Sequence, residues 1–328
     1  MPKIKSAADV YDVSPIYAFY KTFTVPSLRP ATLHCIASIF HNFFFRQYRA
    51  AWLPGRVPVT RVDHPLDKKI PFVPSWVTIY LDFVTFWVRM LSFILRTFGR
   101  RAFGPVKEFI VSMDRLYAFA AECYSKNFST TDRPFYIARP RFFLIHLVDP
   151  HLMCVPSLHV MVVIHTYTRF AAMLRSTGTA EQAEYYSSQI EEMKQGALAI
   201  ARAILFVKQH SVNCIPAALY AMTRFNGELF PQEEAEAFAE LIFTAPTPAK
   251  SPTRLPTGSP APSQLKRPAN YNVRPCAAPK TRLPPADIAE IKNHIVNLYR
   301  RFLAEGKSTS RWEEPLLRFL EKYGNEQR

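Results

Sequence analysis

The chain has 328 residues, a formal net charge of +15, and 28 prolines against only 9 glycines. It contains no G-x-x-x-x-G-K or G-x-G-x-x-G string, which argues against a phosphate-binding loop of a nucleotide-binding fold. Five scattered cysteines without a C-x-x-C pair argue against a disulfide framework and against a zinc site. The charge predicts an anionic partner, but no motif that reads nucleic acid accompanies it, so no nucleic-acid partner is expected.

The first two thirds of the chain are aromatic-rich and predict helices in a membrane. Residues 1–60 form an N-terminal segment with a first apolar helix, and residues 61–225 form one helical domain. The stretch from Ile70 to Val88 is long enough to span a bilayer core, although it contains Asp82. Other apolar stretches are shorter or more polar. We therefore expect an all-α membrane bundle of about six helices, located as a multi-pass protein in the cell (inner) membrane. The alternative is a soluble helical protein with an aromatic core.

The last hundred residues divide by composition into three parts. Residues 226–243 predict a short helix. Residues 244–286 are rich in proline and their charges from Lys250 to Arg282 are all positive, which predicts a disordered linker. Residues 287–328 regain a helical period and predict a C-terminal helical tail. The basic tail is expected to engage an anionic surface or a partner protein.

Three short segments carry groups that suit phosphoryl chemistry. The first is Lys126, followed after six residues by Arg133-Pro134. The second is the string Cys-Val-Pro-Ser-Leu-His, which contains Ser157 and ends at His159. The third is Lys208-Gln209-His210-Ser-Val-Asn-Cys, which ends at Cys214. Together they supply cations for a phosphoryl group and two imidazoles. Pro156 and Ser157 suit a helix start, where backbone N–H groups can meet an anion.

The helices between these segments predict that the two histidines meet. An apolar helix from Pro156 to about Leu174 leads away from His159. A polar stretch from Ser176 to Gln195 turns the chain, and a second helix, 196–207, returns it. His210 then lies at the end of the bundle where His159 began, within ~8 Å, a separation that one phosphate can bridge. A lone histidine in an apolar helix is usually a core residue, and we interpret three others in that way: His146, His151 and His165.

These three segments resemble the signature motifs of the type 2 phosphatidic acid phosphatase superfamily, which includes lipid phosphatases and lipid phosphotransferases. The Pro-Ser-Leu-His string resembles the second motif, and Lys-Gln-His-Ser-Val resembles the third. The segment from Leu66 to Pro74 is similar to the start of a membrane helix in the phosphotransferase branch. The resemblance covers about residues 60–225 and does not extend to the linker or the tail.

The resemblance implies a metal-independent reaction without a cofactor on a lipid phosphate substrate. It implies that His210 is the nucleophile and that His159 protonates the leaving alkoxide. It also implies substrate-binding roles for several other residues: Lys126, Arg133, Ser157, Lys208 and Arg139. Arg139 and Arg141 are alternatives to the first-motif cations.

Two departures from the family pattern leave the activity open. The family has an aspartate four residues after the nucleophile, and this chain has Cys214 there. It also lacks a Ser-Arg or Ser-Thr pair upstream, where Ala203-Ile204 stand. The chain is then a weak enzyme, an enzyme with a substitute partner such as Asp149, or a catalytically inactive binding or scaffold protein. A soluble acid phosphatase or vanadate-type haloperoxidase on the same scaffold is a further alternative. The sequence does not define the substrate headgroup, nor whether the reaction is hydrolysis or transfer.

Overall fold

A computed structural model describes residues 10–53, 55–177, 186–244 and 281–326. The described chain is mainly α-helical, as predicted. Its N-terminal helices are α1 (Ile16–Thr24), α2 (Arg29–Ile39), a π-helical turn (Phe40–Phe45) and α3 (Arg46–Trp52). The central elements are β1 (Val59–Arg61), α4 (Val77–Phe98), α5 (Phe103–Tyr124), β2 (Phe128–Thr130), α6 (Pro140–Val148), α7 (Leu158–Thr177) and α8 (Ser187–Phe206). The C-terminal helices are α9 (Cys214–Phe225), α10 (Gln232–Leu241), α11 (Pro285–Gly306) and α12 (Glu314–Glu326).

Before residue 225 the described part of the chain has nine α-helices, where the sequence predicted about six. The difference arises because apolar stretches are broken into shorter helices. Gly99 adopts φ 57°, a left-handed conformation that ends α4 before α5 begins. The structure also differs from the prediction at residues 176–195, which were expected to form a polar turn. Helix α7 extends to Thr177 and α8 already begins at Ser187, so that most of this stretch is helical.

Helix α7 forms the centre of the bundle. Fifteen of its twenty residues are buried, because α4, α5, α8 and α9 all pack around it. A helix that is apolar on all sides needs such a complete covering. Its burial fixes the direction of the chain through the core, and therefore the position of its N-terminal end.

A short parallel ribbon lies beside that end of α7. Val59, Thr60 and Arg61 of β1 pair with Phe128, Ser129 and Thr130 of β2, and Ser129 also bridges Met153. The ribbon draws together the chain after Arg61, the chain after Thr130 and the loop that precedes α7. Three segments that are far apart in sequence thus converge on one point.

The C-terminal helices belong to the same core as the rest of the bundle. Helix α11 packs on α9 and α10, and α12 packs on β1. Tyr299 and Phe302 of α11 and Leu320 of α12 are fully buried in the common apolar cluster. The tail is therefore packed against the domain that it follows. The predicted linker falls largely on residues 245–280, outside the described residues.

One stretch of the described residues is long and apolar enough to cross a membrane. It runs from Pro74 to Tyr124 and comprises α4 and α5. Of its most apolar window, 67% is buried inside the fold, because α1, α2, α7 and α8 cover it. Length and composition thus support membrane association weakly, and the core of the protein also accounts for this stretch.

Candidate active site

The loop 208–213 is held by a carboxylate that the sequence analysis did not single out. Oδ1 of Asp67 accepts a hydrogen bond from the Val212 N–H at 2.8 Å, and Oδ2 accepts one from the His64 N–H at 2.7 Å. The Lys208 ammonium donates to the Asp67 carbonyl. Because these contacts join the loop to the segment before α4, they fix the backbone on both sides of His210. Asp67 is a positioning residue.

The loop before α7 is fixed from the opposite side. The Val155 N–H donates to Ser129 Oγ at 2.7 Å, and the Tyr124 hydroxyl donates to the Pro156 carbonyl at 2.5 Å. The Ser157 carbonyl then accepts the first hydrogen bond of α7, from the Met161 N–H at 3.1 Å. Ser157 therefore lies at the N-terminal end of the helix, as predicted, and His159 lies in its first turn.

The structure brings His159 and His210 into direct contact. Their ring centroids are 5.3 Å apart, and Nε2 of His210 lies 3.3 Å from Nδ1 of His159. The Ser157 hydroxyl lies 3.4 Å from the same Nε2. Nε2 of His210 therefore faces the other candidate groups, and it is the ring nitrogen that a phosphorus atom could reach.

The surroundings of His159 are aromatic and buried. Tyr80 stacks on its ring at 4.7 Å, and Phe83 approaches to 4.3 Å. The exposed fraction of His159 is 8% and that of His210 is 7%. Burial, and then the neighbouring charge of His210, lower the pKa of His159 well below its usual value. An anionic ligand between the rings would oppose both effects and favour the imidazolium.

The predicted cations divide into two groups. Arg133 reaches the site: its guanidinium donates to Gln209 Oε1 at 3.3 Å and to the Asp149 carbonyl at 2.9 Å. Lys208 lies in the same loop, turned toward Asp67, and burial lowers its pKa.

Two other predicted cations are not brought to the histidines. Lys126 Nζ is 3.1 Å from Oε1 of Glu313, whose side chain is 2% exposed. Because that buried carboxylate needs a counter-charge, it holds Lys126 beside α12. Arg139 is exposed at the start of α6, and Arg141, its alternative, donates to Thr78.

The cysteine that replaces the family aspartate has a different neighbour from the one expected. The Cys214 thiol is fully buried beside the thiol of Cys154. Burial raises the pKa of Cys214 well above its usual value, and the Cys154 contact adds to the increase. Nδ1 of His210 is buried without a hydrogen-bond partner among the described residues, although the Cys154 sulfur interacts with the ring.

His151 lies at the site. The sequence interpretation places it among the ordinary core residues, and that interpretation is wrong. The ring centroid of His151 is 6.4 Å from that of His210, and its Nε2 is 2.8 Å from Thr131 Oγ1. The backbone N–H of His151 donates to Asp149 Oδ1 at 3.0 Å. Asp149, the suggested substitute partner, thus contacts His151. The interpretation holds for His165, which is buried against Ser112.

Backbone strain is concentrated around this cluster. Among the described residues other than glycine, the two with positive φ are His151, at 62°, and Lys208, at 55°. This conformation costs about 1 kcal/mol or more for a residue with a side chain, and it is enriched at functional sites. Both residues flank the imidazole pair. The strain was not readable from the sequence, because neither position carries glycine or asparagine.

Helix α11 is coupled to the same loop through a second histidine pair. Nε2 of His294 is 2.8 Å from Asn213 Oδ1, and the Asn213 amide donates to the Val62 carbonyl at 3.1 Å. The ring of His294 stacks on His64 at 4.1 Å. Burial, followed by the nearby His64, lowers the pKa of His294 to about 4. Burial also lowers the pKa of His64, although Asp67 and Glu290 oppose this.

From the stacked pair of His294 and His64 we predict that acidic pH weakens the attachment of α11 to the loop 208–213. Because the unfolded chain binds protons at about pH 6.5 and folded His294 only at about pH 4, stability is lost as the pH falls through that window. We expect a Tm lower by ~2–4 °C at pH 5 than at pH 7.5, from a penalty on the order of 1 kcal/mol. The measurement is thermal unfolding followed by circular dichroism.

A matched pair of substitutions isolates this contribution. His294→Gln removes the titrating group and keeps an amide that can face Asn213, so the pH dependence should shrink. His41→Gln, at an exposed position of the π-helical turn, should leave it unchanged. Equal pH dependence in the wild type and His294→Gln would contradict the assignment.

Comparison with known proteins finds no relative of this chain. No protein-family model, no curated protein and no solved structure matches it. Among the described residues, no three His, Cys, Asp or Glu side chains are arranged to hold a metal ion. Function is therefore inferred from the motifs of the sequence and from the geometry of the imidazole pair.

Proposed function

We propose that the chain is a membrane-bound phosphatase or phosphotransferase that acts on a lipid phosphate through a phosphohistidine on His210. The observation that carries this proposal is the 3.3 Å contact between His210 Nε2 and His159 Nδ1. A nucleophile and an acid on opposite sides of one phosphoryl group are the minimum that such a transfer requires. Resemblance of the three motifs to the phosphatidic acid phosphatase superfamily supports the same chemistry.

In the first step, Nε2 of His210 attacks phosphorus and a P–N bond forms. The P–O bond to the lipid alkoxide breaks, and the proton of the His159 imidazolium passes to that oxygen. In the second step, neutral His159 takes a proton from water or from an acceptor hydroxyl, whose oxygen attacks phosphorus and releases His210. Water gives hydrolysis and an acceptor hydroxyl gives transfer, so both reactions share one intermediate.

Two neighbours are placed to assist this transfer. The guanidinium of Arg133, beside Gln209, can neutralise the phosphoryl oxygens, and the Ser157 hydroxyl can donate to one of them. The two imidazoles contact each other directly. A phosphoryl group must therefore displace that contact, and the rings must separate when the substrate binds.

Attachment to a membrane supplies the substrate. The apolar stretch that forms α4 and α5 supports membrane association. The multi-pass arrangement in the cell (inner) membrane stays a prediction from the sequence. Detergent dependence of the purified protein, compared with release by alkaline carbonate, tests it.

A catalytically inactive binding protein of the same fold is the second candidate function. Two observations favour it: Nδ1 of His210 has no hydrogen-bond partner in the described chain, and Lys126 is engaged by Glu313. Without an acceptor at Nδ1, nothing holds the tautomer in which Nε2 is free to attack. Such a protein would bind lipid phosphates without releasing phosphate.

The first test of the proposed function is phosphate release from phosphatidic acid and from a prenyl pyrophosphate in metal-free buffer. His210→Ala should lower the rate by at least ~10³-fold, because the covalent route is lost. His159→Asn should lower it by ~10²–10⁴-fold for phosphatidic acid, whose leaving alkoxide needs a proton. The loss should be much smaller with p-nitrophenyl phosphate, whose leaving group needs none.

The matched control is His41→Ala, an exposed histidine distant in sequence from the three motifs. It should retain full activity. Phosphate release that survives His210→Ala would mean that a contaminant or another residue carries the reaction. Binding of phosphatidic acid without release by the folded wild type would select the inactive binding protein.

A second prediction concerns the position of the missing aspartate. Cys214→Asp should raise turnover by up to ~10²-fold, a fraction of what an orienting carboxylate contributes in a catalytic triad. The side chain of Cys214→Asn has nearly the same shape as that of Cys214→Asp but no charge, so this variant should give no gain in turnover. Phosphate release is measured together with Tm, because position 214 is fully buried. Equal rates for folded Asp and Asn variants would contradict the orienting role.

A further inference from the structure

Two segments outside the imidazole cluster have an unusual charge pattern. Residues 14–62 contain six lysines and arginines, and residues 133–148 contain three. Neither segment contains a single aspartate or glutamate. Elsewhere in the described chain, cations are commonly paired with carboxylates, as Arg300 is with Glu236. These two segments therefore carry an excess of positive charge, in which Arg61 alone has carboxylate partners among the described residues, Asp63 and Asp132.

The same two segments carry the exposed apolar side chains. Of the seventeen large apolar side chains that are exposed among the described residues, sixteen lie in them. The most exposed of the N-terminal segment are Trp52 at 77% and Ile16 at 73%, and Leu147 on α6 is exposed by 65%. Scattered single residues of this kind are ordinary, but concentration in two segments indicates an interaction surface.

The two segments are joined in space. The Tyr48 hydroxyl of α3 donates to the Val148 carbonyl of α6 at 2.8 Å. Helices α1, α2 and α4 enclose an almost wholly apolar cavity of about 140 Å³, beside the exposed side chains Phe19, Phe23 and Val84. We call the exposed side of α1, α2, α3 and α6 the basic apolar face.

A cleft of about 560 Å³ lies in this face between α3, β1 and the loop 150–152. Arg46, Arg49 and Arg56 line it, together with apolar side chains that include Leu53 and Leu152. Among the described residues, none of the three arginines has an ion-pair partner, and Nε of Arg46 is buried without a hydrogen-bond partner. Three guanidinium groups without an ion-pair partner in the described chain, in a cleft that apolar side chains also line, suit a phosphate group that is attached to an apolar chain.

We propose that the cleft binds the headgroup of an anionic phospholipid and that the basic apolar face rests on an anionic bilayer. The protein lies in the plane of the membrane surface, with apolar side chains in the acyl boundary and cations among the headgroups. A second copy of the chain is disfavoured as the occupant, because a symmetric contact would bring the arginines Arg46 and Arg49 of one copy against those of the other. The burial of α4 and α5 inside the fold agrees with attachment of the protein in the plane of the membrane surface, without a helix that crosses the bilayer.

This docking would present the imidazole cluster to the lipid surface. Pro150 and Leu152 line the cleft on either side of His151, whose ring is 6.4 Å from that of His210. Arg133, which reaches the site, begins the segment that carries α6. The inference stands on different residues from the proposed reaction, so a protein without turnover would still bind vesicles.

The test is flotation of the full chain with vesicles. Phosphatidylcholine alone is compared with a mixture that contains about 30% phosphatidylglycerol, which gives the surface a negative potential. We expect binding to the mixture, and release when salt is raised from about 0.1 M to about 1 M, which shortens the Debye length from about 10 Å to about 3 Å. The triple change Arg46→Gln, Arg49→Gln and Arg56→Gln should weaken binding by at least tenfold, because each basic residue near such a surface contributes about fivefold.

The matched control removes the same charge elsewhere. Arg301→Gln, Arg318→Gln and Lys322→Gln change exposed cations on α11 and α12 and should leave vesicle binding within about twofold, since these side chains lie off the face. Insertion is read from Trp52 by quenching with brominated lipid, and Trp52→Phe should reduce that quenching, which leaves the part due to Trp87 beside the apolar cavity.

Four results would overturn the proposal, and the last of them concerns extraction. The first is equal binding to neutral and anionic vesicles, and the second is equal loss of binding in both triple variants. The third is a dimer that becomes a monomer on Leu147→Ser without any change in vesicle binding, which would assign the face to a second copy. Extraction by alkaline carbonate should release the protein, whereas retention until detergent is added would contradict attachment in the plane.

Discussion

The burial of α7 is the constraint on which the rest of this structure depends. An apolar helix that must be covered on all sides requires neighbours from before and after it in sequence, and α4, α5, α8 and α9 supply them. Because α8 leads the chain back along α7, the loop 208–213 returns to the N-terminal end of the central helix. The contact between His159 and His210 is a consequence of this packing.

The site that results is polar, strained and buried. Two imidazoles, a half-buried guanidinium and two thiols meet where little water is available to solvate charge. Burial favours the neutral form of the His159 imidazole, and an anionic ligand would reverse that preference. Asp67 and Ser129 hold the two loops through backbone N–H groups, so the histidines are positioned by main-chain contacts. Strain at His151 and Lys208 is maintained by those contacts.

Much of this arrangement follows from the sequence, and its limits have physical reasons. The motifs and the length of the intervening helices predict that His159 and His210 meet, because helix length fixes where a chain returns. The engagement of Lys126 by Glu313 was not predictable, since it joins residues far apart in sequence through the packing of α12. The contact of Cys214 with Cys154 depends on the turn before α9, and sequence spacing does not define the direction of a side chain there. The apolar stretches predicted membrane helices, whereas the packed helices bury most of the longest one.

The basic apolar face and the imidazole cluster together describe an enzyme that works at a surface. Charge would hold the protein on an anionic bilayer, and the loop 150–152 would connect the headgroup cleft to the reacting groups. Neither part requires the other for folding, because the face consists of exposed side chains and the cluster is buried in the core.

The measurement that most directly tests the central claim is the location of the phosphoryl group. The protein is mixed with phosphatidic acid, quenched at alkaline pH to preserve a P–N bond, and digested for mass spectrometry. The account predicts one phosphoryl group on the peptide that contains His210, and none on that peptide in His210→Ala. A phosphoryl group on Cys154 or His151, or phosphate release by wild-type protein that never carries a phosphoryl group, would contradict it.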